Sequence, residues 1–147
     1  MLAVGRQRPG PLRELQSLYL KRIVPAPAIV ELEEKRPLSP PELVAREGDL
    51  LLAALPAGAR FIALDGGGQC WSSEELARRL AGWRQNGQDV AFAIGGADGL
   101  SRAVLGHANG ILSIGAMTWP HLLVRVMLLE QLYRAQQILA GHPYHRE

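Results

Sequence analysis

The last six residues hold the densest group of reactive side chains in the chain. They read His142-Pro143-Tyr144-His145-Arg146-Glu147 and follow a long apolar segment. Two imidazoles, a phenol and a guanidinium are groups that move a proton, orient a ring and stabilise an anion. Chain ends are usually frayed and solvated, so this tail is either surface decoration or part of a functional site. The rest of the sequence favours the functional site.

Three glycine-containing segments could let a ligand approach the backbone closely. They are Asp65-Gly66-Gly67-Gly68, Gly95-Gly96-Ala97-Asp98-Gly99 and Gly115-Ala116-Met117-Thr118-Trp119, and each follows a strand-like run. None matches the glycine fingerprint of a dinucleotide site or a P-loop. The second segment precedes a helix, where an anion could bind, but Asp98 would oppose a phosphate there. The segments therefore favour a nucleoside-like ligand that carries a positive group.

Strand-like and helix-like runs alternate five times, which predicts an α/β domain with a largely parallel central sheet. Ser39 with Glu42 and Ser72 with Glu75 form capping boxes that mark two helix starts, and Pro120 marks another. Ligands of such sheets bind beyond the carboxyl ends of the strands. The predicted strands cover residues 2–4, 28–32, 61–64, 90–94 and 111–114, and the predicted helices cover 12–23, 40–55, 73–86 and 120–141, with a short helix capped by Ser101.

The composition bounds the class of protein. A length of 147 residues suggests one domain. The single cysteine, Cys70, excludes a disulfide framework and a cysteine-rich zinc site. No apolar run reaches the roughly 20 residues that span a bilayer, and the N-terminus does not read as a signal peptide, so we expect a soluble cytoplasmic protein with no membrane segment. Of the 16 basic residues only Lys21 and Lys35 are lysines. That arginine bias fits RNA contacts, and it fits a GC-rich genome equally well.

Eight segments, in this order and spacing, carry a family resemblance. They are Leu64-Asp65, Ser72-Ser73-Glu74, Ile94-Gly95-Gly96, Gly99-Leu100-Ser101, Pro120-His121, Leu123-Val124-Arg125, Glu130-Gln131-Leu132-Tyr133-Arg134-Ala135 and the terminal His142–Glu147. The pattern resembles the bacterial large-subunit (23S) ribosomal RNA pseudouridine N3-methyltransferases, which are small members of the trefoil-knotted SPOUT class. The resemblance spans the whole chain and is strongest from Phe61 onward.

The resemblance implies the fold, the cofactor and the partners. It implies a single SPOUT-like domain over residues 1–147, with a C-terminal trefoil knot over about residues 61–147 and a largely parallel sheet. It also implies a homodimer that methylates large-subunit rRNA in the assembled ribosome, with S-adenosyl-L-methionine as the methyl donor. Carried over residue by residue, the cofactor-binding positions are Leu64, Gly96, Gly115, Ala116, Met117, Thr118, Trp119 and Pro120.

Methylation of N3 of a pseudouridine sets the catalytic requirements. The nitrogen must lose its proton before its lone pair can attack the methyl group, so the site needs a base, a cation for the developing imide anion and rigid alignment. We expect Arg146 to stabilise the anion, Tyr144 to position the base ring, and His121 to accept a proton or contact a phosphate. No metal ion is expected.

Simpler interpretations stay open for several residues. His142 and His145 could be half of a metal site or two solvated imidazoles. His121 could contact only backbone in the first turn of its helix. Cys70 reads as a packing thiol more than as a nucleophile, because no base accompanies it.

Two segments have alternative interpretations. The arginines around Pro9-Gly10-Pro11, which are Arg6, Arg8 and Arg13, either follow an RNA backbone or lie in an ordinary solvated loop. The helix after Pro120 is apolar on most of its surface, so it either meets a dimer partner or is a buried core helix.

Three rival functions compete with the main one. The first is a SPOUT-like methyltransferase that acts on another RNA position. The second is a non-catalytic RNA- or ribosome-binding module on the same scaffold, which would have no need for Tyr144 and Arg146. The third is a nucleotide-binding stress protein, which the missing phosphate motif disfavours.

Overall fold

The computed structural model of the chain describes residues 1–145. Strands and helices alternate regularly along them, as the sequence predicted. The elements are β1 (Leu2–Val4), α1 (Pro11–Arg22), β2 (Val30–Leu32), α2 (Pro40–Ala53), β3 (Arg60–Cys70), α3 (Ser73–Gln85), β4 (Val90–Ile94), α4 (Arg102–His107), β5 (Gly110–Ser113) and α5 (His121–Leu139).

The strands form one sheet in the order β2-β1-β4-β3-β5. Every neighbouring pair is parallel, which confirms the predicted sheet. Because all strands run the same way, their carboxyl ends meet at one edge. The loops that follow β1, β3, β4 and β5 therefore emerge on the same side of the molecule, where α/β proteins bind ligands.

Local capping sets the starts of the helices. The Glu42 carboxylate accepts hydrogen bonds from the backbone N–H and the hydroxyl of Ser39, which fixes the start of α2. The Ser72 hydroxyl oxygen accepts from the Glu75 N–H at 3.1 Å and starts α3. These bonds satisfy backbone donors that a helix end leaves free. The two helix starts predicted from these residue pairs are thus confirmed.

The sheet is buried on both faces because its strands alternate between two core layers. In one layer, side chains from one face of the sheet pack against α3 and α5, and α1 packs on α5. This layer includes Ile62, Phe92 and Leu128. The other packs the opposite face against α2 and α4; it includes Phe61 and Leu51. Strands covered on both faces are typical of parallel sheets.

Strand β3 differs from its predicted bounds. The sequence predicts an end at Leu64, but the strand extends to Cys70, because β5 pairs with it twice: Leu112 faces Leu64 and also Gln69. Residues 65–68 bulge out between the two pairings. Glycine makes the return possible, since a Cβ on Gly68 would lie 2.6 Å from the Ile111 carbonyl oxygen. The prediction was wrong because a run of glycines reads as a strand end in sequence.

Among the helices of residues 1–145, none has the length and apolar character that a membrane crossing requires.

Candidate active site

A cavity of about 290 Å³ lies at the carboxyl edge of the sheet. The three glycine-containing segments surround it, as their places after the predicted strands 61–64, 90–94 and 111–114 indicated. Of the eight expected cofactor positions, seven line the cavity, and Pro120 does not; it is instead the cap residue that precedes α5. The lining residues are Leu64, Asp65, Gly66, Ile94, Gly95, Gly96, Ala97, Gly99, Leu112, Ser113, Ile114, Gly115, Ala116, Met117, Thr118, Trp119, His121 and Val124.

The turn after β4 is closed by backbone contacts. The Gly99 N–H donates to the Gly96 carbonyl oxygen at 3.2 Å. A Cβ on Gly95 would lie 2.5 Å from the Gly99 carbonyl oxygen, so the turn has no room for a larger residue. Backbone N–H and C=O groups therefore form this wall of the cavity, and they suit the polar edge of a nucleoside more than an anion.

Glu47 of α2 approaches the same turn, and sequence reasoning did not identify it. A Cβ on Gly96 would lie 2.9 Å from Glu47 Oε2. Burial raises the pKa of the Glu47 carboxyl, and the charge of Asp98 raises it further. Only the fold shows this proximity, because Glu47 and Gly96 lie far apart in the chain.

The loop after β5 is held at its start by one hydroxyl. Buried Ser113 donates from Oγ to the Gly115 carbonyl oxygen at 3.1 Å and accepts from the Gly115 N–H at 3.2 Å. Beyond this point the loop becomes exposed, and Met117 and Trp119 present apolar side chains to the surroundings. The loop is thus anchored at the sheet and exposed beyond Gly115.

His121 is the first residue of α5 and lines the cavity. Its Nε2 lies 3.5 Å from the position that a Cβ on Gly5 would take. Burial lowers the pKa of the His121 imidazole, and the charge of Arg125 lowers it further. An imidazole with a pKa below its usual range is neutral near pH 7 and has a lone pair to accept a proton.

Arg125, one turn after His121, is a fully buried charge. Its Nη1 donates to Glu31 Oε1 at 3.0 Å, and its Nη2 donates to the carbonyl oxygens of Val4 and Gly5. Sequence reasoning assigned this residue no role. The available signal was an arginine in the middle of an otherwise apolar helical segment, because a charge there is buried only if it is paired.

Tyr144 packs against the C-terminal half of α5. The Tyr144 hydroxyl donates to Glu130 Oε1 at 3.1 Å, its ring meets the Tyr133 ring edge-on at 4.9 Å, and the Arg134 guanidinium lies over it at 4.9 Å. Burial, followed by hydrogen bonds with Tyr19 and Glu130, raises the pKa of Tyr144 to about 12. Tyr144 is therefore a proton donor in hydrogen bonds and not a base near neutral pH.

His145 contacts the first turn of α3. Its Nε2 lies 2.5 Å from Glu74 Oε1. The pKa of Glu74 is lowered to about 2, first by the hydrogen bond from Ser72, then by its own backbone N–H and by His145. His142 accepts from the Tyr144 N–H at 3.1 Å. Within residues 1–145, no three His, Cys, Asp or Glu side chains come together as metal ligands. Arg146 lies outside the described residues.

Two of the predicted catalytic residues, His121 and Tyr144, do not meet within one chain. Tyr144 contacts Glu130, which lies nine positions after His121 in α5. At 1.5 Å per residue this is about 13 Å along the helix. His121 faces the 290 Å³ cavity, whereas Tyr144 lies on the other part of α5.

A second cavity of about 600 Å³ lies on the side of the tail. It is lined mainly by apolar side chains from α1, α3 and α5, among them Leu15, Leu76 and Met127. Residues 112–115 line both cavities and form a wall between them. Leu15 and Leu18 of α1 are each 41% exposed, so apolar surface continues outside this cavity.

Comparisons of the sequence with known proteins agree on one family. Residues 1–145 match the family model described as "Predicted SPOUT methyltransferase". The chain is 55% identical to the ribosomal RNA large subunit methyltransferase H of Paramagnetospirillum magneticum, over 98% of this chain and 95% of the relative. It is 54% identical to the protein of the same name from Rhodospirillum centenum, over 99% of this chain and 97% of the relative.

Among solved structures, the chain is similar to the SpoU methyltransferase AviRb from Streptomyces viridochromogenes in complex with the cofactor AdoMet. The TM-score is 0.47 and the identity 17%, over 93% of this chain and 57% of that one. Family membership rests on the sequence matches, which cover nearly the whole length of both partners. The chain belongs to the SPOUT methyltransferase family.

Proposed function

We propose that the chain transfers a methyl group from S-adenosylmethionine to N3 of a pseudouridine in large-subunit ribosomal RNA, in the cytoplasm. The substrate class follows the names of the relatives with which the chain shares more than half of its residues. The observation that carries the chemistry is His121, an imidazole whose pKa is lowered at the wall of a glycine-lined cavity.

The groups that line the cavity suit the proposed cofactor. Its walls offer glycine backbone for a nucleoside, apolar side chains such as Leu64 and Ile94 for a flat ring, and the Asp65 carboxylate for a positive centre. When bound there, S-adenosylmethionine would supply a methyl group on a positively charged sulfur. The absence of a phosphate-binding motif agrees with a ligand that has no phosphate.

We assign the proton-handling role to His121. The neutral imidazole would accept the N3 proton of the target base, which leaves a lone pair on the nitrogen. Tyr144, protonated because its pKa is about 12, would donate a hydrogen bond that orients the base. Arg146 would stabilise the imide anion, since a guanidinium stays charged in any protein site.

We propose that a second copy of the chain completes the site. His121 and Tyr144 lie on opposite parts of α5, so one chain alone does not bring them to one base. A twofold dimer through α1 and α5 would cover exposed Leu15 and the 600 Å³ cavity that it lines. It would also bring the tail of one copy toward the 290 Å³ cavity of the other. Within each copy we propose a single domain whose residues from about 61 onward thread a trefoil knot.

The pH dependence of methyl transfer tests the role of His121. Because its pKa is lowered, the neutral form persists below the usual histidine value of about 6.5. We expect the single-turnover rate to fall on the acid side as the imidazole gains a proton, with the midpoint of that limb below the usual histidine value. Measurements on the wild type and on Tyr144→Phe should give the same acidic limb. A limb centred at or above pH 7 would contradict the assignment.

Gly95→Ala tests whether the turn after β4 binds the cofactor. The new Cβ would meet the Gly99 carbonyl oxygen at 2.5 Å, so the turn must move. We expect the affinity for S-adenosylmethionine, measured by titration calorimetry, to fall at least about tenfold, or 1.4 kcal/mol. Gly106→Ala is the matched control, because nothing lies within 4 Å of the Cβ it would add. Equal affinity of both variants would place the cofactor elsewhere.

The decisive experiment is methyl transfer to ribosomes that lack the modification. Purified protein and S-adenosylmethionine would be incubated with them, and the large-subunit rRNA digested and analysed by mass spectrometry. A new methyl group on a pseudouridine nucleoside supports the proposal. A methyl group on another nucleoside would make the chain a SPOUT methyltransferase with a different RNA target. Binding of the cofactor and ribosomes without transfer would favour the non-catalytic module.

A further inference from the structure

The loop between β1 and α1, residues 5–10, lies next to the candidate active site. β1 pairs in parallel with β4, so this loop leaves the sheet at the same edge as the turn after β4. Its first residue, Gly5, lies directly beside His121: the position of a Cβ on Gly5 is 3.5 Å from His121 Nε2. The start of this loop is therefore a neighbour of any substrate group bound at His121.

The middle of the loop is anchored inward. Gln7 is 5% exposed. Its N–H donates to Glu31 Oε1 at 2.8 Å, and its carbonyl oxygen accepts from Arg13 Nη1 at 2.9 Å. The same Glu31 oxygen accepts from buried Arg125 at 3.0 Å, and Gly5 is bound to Arg125 as well. The loop is thus connected to α5, β2 and α1, and its path is set by the helix that carries His121.

Anchoring Gln7 turns its two neighbours outward. Arg6 and Arg8 are both exposed. Arg6 Nε lies 3.6 Å from Glu33 Oε2, but the two side chains are 69% and 43% exposed, so the pair is weak and open to exchange. Arg8 makes no ion pair with any of residues 1–145. Arg13 differs, because one of its nitrogens is used to hold Gln7.

A shallow groove continues from the loop along α1. It starts at Pro9 and Gly10 and ends at Lys21, with Arg13 and Glu14 on its sides. Two basic residues and one acidic residue give it a net positive lining. An extended, negatively charged strand that contacts Arg6 and Arg8 would find a compatible path there.

From this geometry we propose that residues 5–10 form a phosphate-binding loop, in which Arg6 and Arg8 hold the rRNA backbone beside the target base at His121. The inference rests on the proposed function, because it takes RNA as the substrate. Guanidinium groups bind phosphate oxygens in a forked geometry, and such contacts position a nucleic acid without reading its sequence. The buried network around Gln7, Glu31 and Arg125 fixes the position of the loop, and so of the two arginines, relative to His121.

The test compares two double variants. Arg6→Gln with Arg8→Gln removes the proposed contacts. Arg78→Gln with Arg84→Gln removes the same charge from α3, a different helix that also packs on α5. Binding to large ribosomal subunits that lack the modification would be measured by sedimentation at several salt concentrations. Methyl transfer and S-adenosylmethionine affinity would be measured in parallel.

We expect the loop variant to bind subunits at least about tenfold more weakly and to raise KM by a similar factor. The slope of log affinity against log salt should become shallower by about 0.7 to 0.9 for each phosphate that the variant no longer neutralises. The affinity for S-adenosylmethionine and the unfolding temperature should match those of the control. The α3 variant should change binding less than about threefold.

Different results would contradict the loop proposal and the proposed function. If both variants weaken binding equally, or the salt slope of the loop variant is unchanged, the loop proposal is wrong, and methyl transfer by the wild type still supports the function. If the wild type binds without methylating, and binding depends on Arg6 and Arg8, the function is wrong and the loop remains an RNA contact. If the wild type does not bind large ribosomal subunits at low salt, the loop proposal is wrong as well.

Discussion

Arg125→Met is expected to lower the free energy of unfolding by about 3 to 5 kcal/mol. The guanidinium is fully buried, and its removal leaves Glu31 with the Gln7 N–H as a remaining donor and takes the guanidinium donor away from the carbonyl oxygens of Val4 and Gly5. Buried acceptors without partners cost most of their desolvation energy. Urea unfolding at fixed protein concentration would measure the loss from the shift of the midpoint at constant slope.

Arg134→Met is the matched control on the same helix. Arg134 pairs with Glu130 one turn away, in a partly exposed position, and such pairs contribute less than about 1 kcal/mol. A loss for Arg125→Met no larger than that for Arg134→Met would mean that the buried network does not stabilise the fold. Arg125→Lys should recover only part of the loss, because an ammonium does not reproduce the forked contacts of a guanidinium.

Mixed dimers of two inactive variants are expected to recover about half of the wild-type rate of methyl transfer. His121→Ala removes the proposed base and Arg146→Ala removes the proposed cation, and each homodimer should lose at least about a hundredfold in rate. If each site combines His121 of one copy with the tail of the other, the mixed dimer has one site with both groups intact. Mixed dimers would be isolated with two affinity tags and assayed on ribosomes that lack the modification.

A site contained within one chain gives the opposite result. Each half of the mixed dimer would then keep one defect, and the rate would stay at the level of the homodimers. Dimers of His121→Ala with the double variant, which lacks both groups, should remain inactive under either arrangement. Recovery in that control would indicate exchange with contaminating wild-type enzyme and not a shared site.

Most of the fold could be predicted from the sequence because its signals are local. Capping residues such as Ser72 start helices within one or two residues of the predicted positions. Apolar runs such as the one that forms β4 are short, continuous and flanked by glycine, which favours a buried strand over a helix. The parallel order followed from the alternation of these elements, since parallel strands need a crossing helix between them.

What the sequence could not supply depends on contacts between distant residues. Nothing near Arg125 in the chain indicates that Glu31 lies beside it, and nothing near Gly96 indicates Glu47. The extension of β3 beyond Leu64 depends on a second pairing with Leu112, which a run of glycines conceals. The grouping of His121 with Tyr144 in one set of catalytic residues came from the family resemblance, and one chain keeps the two apart.

The wall that separates the two cavities has a thermodynamic consequence. Residues 112–115 line both cavities, so an occupant of either cavity contacts the same four residues. If the proposed cofactor occupies the smaller cavity and the proposed partner subunit covers the larger one, the two binding equilibria would be linked through these residues. The factor by which the cofactor tightens the dimer then equals the factor by which dimerisation tightens the cofactor. A protein of this design would retain its methyl donor most firmly when both copies are together, and would release it more readily once they part.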